Sequence, residues 1–115
     1  MRNKIHRLRK NQDFVNVLKK GSGFSSRFLA VRFVGNAFSF SRFGFLASGK
    51  IFKKAVIRNA IRRKLKEALR FQLPTVALSI DVVLIARKGI EDRSYQELKD
   101  IVFFVLKGAR ILNPK

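Results

Sequence analysis

Apolar residues recur along this chain in two rhythms, and the switches between them mark six predicted elements. Phe14, Val17 and Leu18 fall at spacings of three and four, which predicts a short helix over residues 13–20 with one apolar face. Asn11 is placed to cap it, Asp13 and the pair Lys19-Lys20 suit its dipole, and Gly21 is placed to end it. Residues 21–26, rich in glycine and serine, read as a turn. Alternation of period two then predicts a strand over 28–34, with Leu29, Val31 and Phe33 on one face and Phe28, Ala30, Arg32 and Val34 on the other. Gly35-Asn36 signals a turn, with room for a longer loop to about residue 40. Residues 41–48 predict a second strand, with Phe43, Phe45 and Ala47 opposite Arg42, Gly44 and Leu46.

The helical rhythm is clearest over residues 55–71, where Ile57, Ile61, Leu65, Ala68 and Leu69 form an unbroken stripe; Pro74 marks the end. The apolar, β-branched run over 80–86 predicts a strand covered on both faces. Ser94-Tyr95-Gln96-Glu97 has the form of a capping box and opens a last helix over 95–107, with Leu98, Ile101, Val102 and Val105 inward and Gly108 at its end. The order helix, strand, strand, helix, strand, helix predicts an α+β fold: an α-β sandwich with a small central sheet and three helices. A single domain over residues 1–115 is expected, with 1–10 and 112–115 loose.

Charge changes the picture more than composition does. The chain carries 26 Lys and Arg against 7 Asp and Glu, a net charge of +19. Residues 1–80 hold 19 basic and 2 acidic residues, whereas 81–115 hold 7 and 5. A generally basic proteome would raise charge everywhere, so the asymmetry points to a polyanionic partner met by the first two-thirds of the chain. Cysteine is absent, which excludes disulfides and thiolate metal sites. No apolar run approaches the roughly 20 residues of a membrane helix, and the basic start lacks the apolar stretch of a secretory signal; a cytoplasmic protein is expected.

Catalysis by the protein alone is not expected. The single histidine, His6, sits in a basic segment, and the carboxylates are scattered, with Glu91-Asp92 the one adjacent pair. A two-metal nuclease needs several acidic ligands converging on one point, and a P-loop needs a Gly-Lys-Ser/Thr after a strand. Neither pattern is present, so no catalytic and no metal-ligating residues are assigned.

The second predicted helix carries a different chemistry. Lys54, Arg58, Arg62, Lys66 and Arg70 recur every four residues, Arg63 and Lys64 widen the stripe, and Lys50 and Lys53 extend it into the preceding loop. Glu67 is its only acidic member, so lacing by salt bridges does not account for it. Such a face neutralises phosphates and releases condensed counterions, and arginine adds bidentate grip and stacking on bases. Asn59, amid these cations, can both donate and accept.

The segment Lys54-Ala55-Val56-Ile57-Arg58-Asn59-Ala60-Ile61-Arg62-Arg63-Lys64-Leu65-Lys66-Glu67 closely resembles the signature helix of the bacterial ribonuclease P protein family. Leu8 to Phe14 with Lys20-Gly21, Ser41 to Phe45, Asp81 to Arg87 and Ser94 to Leu98 resemble further segments of that family in the same order. Three departures stand out: Ala60 replaces a usual arginine, the loop over 48–53 is one residue longer than the common form and has Gly49 where a basic residue is common, and Leu18 replaces an aromatic. The resemblance implies a left-handed βαβ crossover, against the usual rule. It also implies a partnership with a catalytic RNA that uses Mg²⁺ to remove the 5′ leader of precursor tRNA. The protein would be monomeric, with Lys50, Lys53, Lys54, Arg58, Asn59, Arg62, Arg63 and Lys66 facing the RNA subunit. Phe14, Leu18, Phe28 and Val31 would form the cleft for the leader, where bases exposed on a single strand stack on aromatic surfaces. Two rival readings share the basic charge: a ribosomal or other structural RNA protein, and an architectural DNA-binding protein. The second is weakened by the lack of a helix-turn-helix pair or a dimer-forming stripe.

Overall fold

The computed structural model describes residues 5–113. Its elements are β1 (His6–Arg7), α1 (Asn11–Lys20), β2 (Ser22–Ser25), β3 (Leu29–Gly35), β4 (Arg42–Leu46), α2 (Ala55–Arg70), β5 (Ile80–Ala86) and α3 (Tyr95–Gly108). Short 3-10 turns lie at Leu73–Thr75 and Ile90–Asp92. One mixed sheet has the order β1-β4-β5-β3-β2. The central strand is the apolar run at 80–86, as its composition predicts: β5 runs parallel to β4 and antiparallel to β3, and helices cover both of its faces.

Alternation along the strands divides the molecule into two cores. Leu29, Val31, Phe43, Phe45, Val82 and Leu84 face α2 and α3, meeting Ile61, Leu65, Leu69, Val102, Val105 and Leu106 in the larger core. The opposite face, with Val83 buried and Val34, Leu46 and Ile85 half-buried, meets Leu8, Phe14 and Val17 in a smaller core under α1. Each fully buried leucine or valine contributes about 1.5–3 kcal/mol relative to exposure. The larger core therefore dominates stability, and the smaller one positions a single helix.

The capping box at α3 forms as its spacing predicts. The Ser94 hydroxyl accepts from the Glu97 N–H at 3.1 Å, and the Glu97 carboxylate accepts from the Ser94 N–H at 2.8 Å. These hydrogen bonds from Ser94 hold the Glu97 carboxyl below its ordinary value. Ser94→Ala is expected to lower unfolding free energy by about 1 kcal/mol; urea titration checks it, and an unchanged midpoint would show the cap to be redundant.

Several boundaries differ from expectation. The turn expected at 21–26 contains β2, which pairs antiparallel with β3 from Ser22↔Phe33 to Ser25↔Ala30. Its one apolar residue, Phe24, lies edge-on to Phe104 of α3 at 5.7 Å, so tertiary contact outweighs a Gly/Ser composition. Lys10, rather than Asn11, occupies the N-cap of α1, and no side chain caps that end. Gly108 is the last helical residue of α3. Within the ends expected to be loose, 1–10 and 112–115, the described residues 5–10 and 112–113 make contacts. Ile5 and Leu8 are buried, β1 pairs in parallel with β4, Leu112 bridges Val76, and the Asn113 N–H donates to the Thr75 carbonyl at 2.6 Å. Residues 1–4 and 114–115 lie outside the described residues.

Candidate RNA interface

Helix α2 buries Ile61, Leu65, Ala68 and Leu69 and carries its cations on the flank beside them. Lys50, Lys53, Lys54, Asn59, Arg63 and Lys64 are exposed, while Arg58, Arg62 and Lys66 are half-buried along their stems. The Arg58 guanidinium donates to the carbonyls of Phe52 and Lys53 at 2.8 and 3.0 Å. It thereby fastens to the helix the loop that carries Lys50 and Lys53. The Asn59 carbonyl oxygen accepts from Arg62 at 2.9 Å, which sets the arginine's direction and leaves the amide N–H₂ as a donor. Among the described residues, the ion pair on this helix is Arg70–Glu67 at 3.3 Å; the other cations of the stripe have no acidic partner. Lys54 occupies the N-cap and the first turn holds no acid. A helix start prefers negative charge, so Lys54 at this end does not favour the helix itself.

The second surface lies on the other face of the sheet. The Phe14 ring sits directly on Gly44: a Cβ there would stand 2.3 Å from Phe14 Cε1, so the strand needs glycine at the contact. Leu18 lies one helical turn on, 37% exposed. Beyond α1, the half-buried residues Leu46, Ile85 and Ala30 form one row across three strands. Arg32, next along β3 on the same face, donates to the Leu18 carbonyl at 3.0 Å, a cation on the negative end of α1. Its Nε is buried without a partner.

This geometry divides the four expected cleft residues. Phe14 and Leu18 stand together, but Val31 is fully buried in the larger core, because strand alternation turns it away from α1. Phe28 packs on that core too, against Gly89 and between Arg27 and Arg93 at 5.2 and 4.7 Å. The residues that join Phe14 and Leu18 are Ala30, Arg32, Leu46 and Ile85. Strand parity places Ala30 and Arg32 opposite Val31, and that signal identifies the face that α1 covers.

A third cluster ties the sheet to α1. Arg42 grips Asp81 with two hydrogen bonds, Nε at 2.8 Å and Nη2 at 2.6 Å, and reaches Asp13 of α1 at 3.4 Å. The Asn36 amide also donates to Asp81 at 2.8 Å. Burial pushes the Asp81 carboxyl up, but the hydrogen bonds from Arg42 and Asn36, with the arginine charge, outweigh it and hold it below the ordinary value. Among the described residues no group of three or more His, Asp or Glu side chains could hold a metal ion. Asp13 and Asp81 are engaged by Arg42, and Glu91 accepts from the Gly89 N–H at 2.9 Å. Among the described residues, therefore, these side chains do not fit a Mg²⁺ site. No helix of the described residues is long and apolar enough to cross a membrane.

Comparison with known proteins bears on the family. The profile of the Ribonuclease P family matches residues 2–110. The ribonuclease P protein component of Alkaliphilus oremlandii is 35% identical over 109 residues, covering 95% of each chain. That of Syntrophomonas wolfei is 38% identical, covering 95% of this chain and 91% of its own. The solved structure of the Staphylococcus aureus RNase P protein superposes with a TM-score of 0.85 at 31% identity, over 96% of this chain and 100% of that one. The Thermotoga maritima protein gives 0.78 at 25% identity, over 89% and 96%. The chain therefore belongs to the ribonuclease P protein family, whose members are the protein component of an endoribonuclease that processes tRNA as a ribonucleoprotein.

Proposed function

We propose that this protein binds a catalytic RNA through α2 and its preceding loop and holds the 5′ leader of precursor tRNA along α1, while the RNA cleaves the phosphodiester bond. The observation that carries the reading is the α2 stripe, whose cations other than Arg70 lack acidic partners. The strip beside α1 supports the second half: half-buried apolar residues with Phe14 at one side and Arg32 at the other suit an unpaired strand, whose bases stack while cations hold its backbone. Assignment of the bond-breaking step to RNA is supported by the engagement of the protein's own titratable groups. Asp13 and Asp81 are tied to Arg42, and His6 packs on Phe40 at 4.3 Å. Mg²⁺ in this reading belongs to the RNA, and the protein acts as a cytoplasmic monomer.

Reconstitution tests the proposal: the protein, a bacterial ribonuclease P RNA and precursor tRNA at low Mg²⁺. Cleavage at the mature 5′ end that requires the protein is the expected result. Tight RNA binding without cleavage, across RNA subunits of different architecture, would favour a structural role in another RNA particle. In the same assay Phe14→Ala should weaken binding of precursor tRNA by about tenfold and leave mature tRNA unaffected, since one lost stacking contact is worth roughly 1–3 kcal/mol. Equal losses for both would make Phe14 a packing residue only.

A further inference from the structure

Helix α2 has a second flank, and it carries a recess. Arg58, Arg62 and Lys66 lie to one side of the buried line through Ile61 and Leu65; Ile57, Ala60 and Lys64, at spacings of three and four, lie to the other. On that side the 3-10 turn Ile90–Asp92 and the start of α3 come up against α2 and leave a pocket of about 90 Å³. Buried Ile61, Ile90 and Leu98 line its depth, with half-buried Ile57 and Ala60 beside them. Position 60 contributes only a methyl group, in place of the arginine usual there.

The rim is charged. Lys64 of α2 and Glu91 of the turn, both exposed, border the same opening. They are opposite in sign, yet neither is in any ion pair among the described residues, so they face one another without closing. The Glu91 carboxylate accepts from the Gly89 N–H at 2.9 Å, which fixes its place and leaves further lone pairs free. An apolar cavity of about 150 Å³ takes benzene whole. This one, smaller and open on one side, holds most of a phenyl ring and leaves the polar end of the ligand at the rim. A nucleotide suits it poorly: its phosphate would meet Glu91, and its base would bring polar edges into an apolar depth. An ammonium and a carboxylate across the mouth of an apolar recess are the complement of a zwitterion that carries a ring.

We propose that the recess between α2 and the start of α3 binds an aromatic α-amino acid of phenyl size. Its ring lies among Ile57, Ile61 and Ile90, its carboxylate on Lys64 and its ammonium on Glu91. The site is distinct from the row of Arg58, Arg62 and Lys66 and from the strip beside α1, and it does not depend on the RNA reading.

Three of the lining residues are isoleucines, whose δ1 methyls report a neighbouring ring directly. In protein labelled at isoleucine methyls, L-phenylalanine should shift Ile57, Ile61 and Ile90 saturably, in the roughly millimolar range of so small a ligand. Ile85, in the core under α1, should stay still. L-phenylalaninamide lacks the carboxylate and N-acetyl-L-phenylalanine the ammonium. At physiological salt, which screens distant cations, each should bind about threefold more weakly, as one exposed ion pair accounts for. Lys64→Met should erase the difference between phenylalanine and its amide, and Glu91→Gln the difference from the N-acetyl form. Ala60→Leu, which fills the recess, should abolish the shifts without lowering the thermal midpoint. No saturable shift up to the solubility limit of phenylalanine would overturn the site. Equal affinities for all three ligands would overturn it by leaving an apolar hole that recognises no amino acid. Equal shifts at Ile85 would do the same by making the binding non-specific.

Discussion

Replacing Asp81 by alanine will lower the free energy of unfolding by about 3 kcal/mol, the low end of what removal of one partner from a buried ion pair costs. The side chain is 5% exposed and accepts from Arg42 twice and from Asn36 once. Its loss leaves a guanidinium in a site built for a neutral pair, with Asp13 at 3.4 Å as the remaining counter-charge. The loop carrying Phe38 loses its anchor in the same step. Denaturant titration measures the change; a loss below about 1 kcal/mol would mean that water and Asp13 replace Asp81. The double variant Arg42→Met with Asp81→Leu should recover most of the stability, because an apolar pair of similar volume avoids desolvating two charges.

The pH dependence follows from the same cluster. Asp81 has its folded value held below the ordinary carboxylate value. The stability it contributes is therefore fully present above about pH 4, where the unfolded carboxyl is ionised. It is lost as pH falls through the folded value. Asp81→Asn, which cannot titrate, should start less stable near neutrality and decline less steeply below pH 4. Parallel acid limbs for the two proteins would assign the loss to other carboxylates.

The second large effect concerns α2. Removing Lys54, Arg62 and Arg63 together, each to alanine, should reduce the slope of log affinity against log salt by about 2 to 3, since each phosphate contact contributes roughly 0.7–0.9. Filter binding of the RNA subunit across a salt series measures it. Arg58 is left in place because it holds the loop carbonyls of Phe52 and Lys53, and its loss would mix a change of shape with a change of charge. An unchanged slope would show that these cations face solvent in the complex. The stability of the triple variant should stay near that of the parent or rise, as Lys54 sits against the helix dipole.

What could be read from the chain follows the range of the forces involved. Helix α2, β5 and the capping box of α3 carry their signals within a few residues, as periodicity, β-branched content and a serine three residues before a glutamate. The sites of β1 and β2 do not. β1 has two residues, and its partner is 36 positions away in sequence, His6↔Arg42; β2 borrows its conformation from the backbone of β3 and from α3 through Phe24. The cleft shows the same limit. The alternation in β3 was legible, but which face α1 covers is a tertiary fact. Val31, placed in the cleft by resemblance, belongs by parity to the other side. The α2 stripe is fully legible as a charge pattern, whereas the role of Arg58 in fastening the loop rests on hydrogen bonds to the backbone of Phe52 and Lys53 that no charge pattern carries.

The strand order also sets a timetable. β2 with β3, and β1 with β4, make two separate pairs, and neither pair touches the other until β5 slides between them. Two-stranded pieces are marginal by themselves in water. A chain leaving the ribosome thus cannot close its sheet before Ala86 emerges, by which time three-quarters of it, and nearly all of its excess positive charge, has been made. The central strand is thus the keystone of the sheet, and until it emerges the nascent chain is a polycation without a closed sheet.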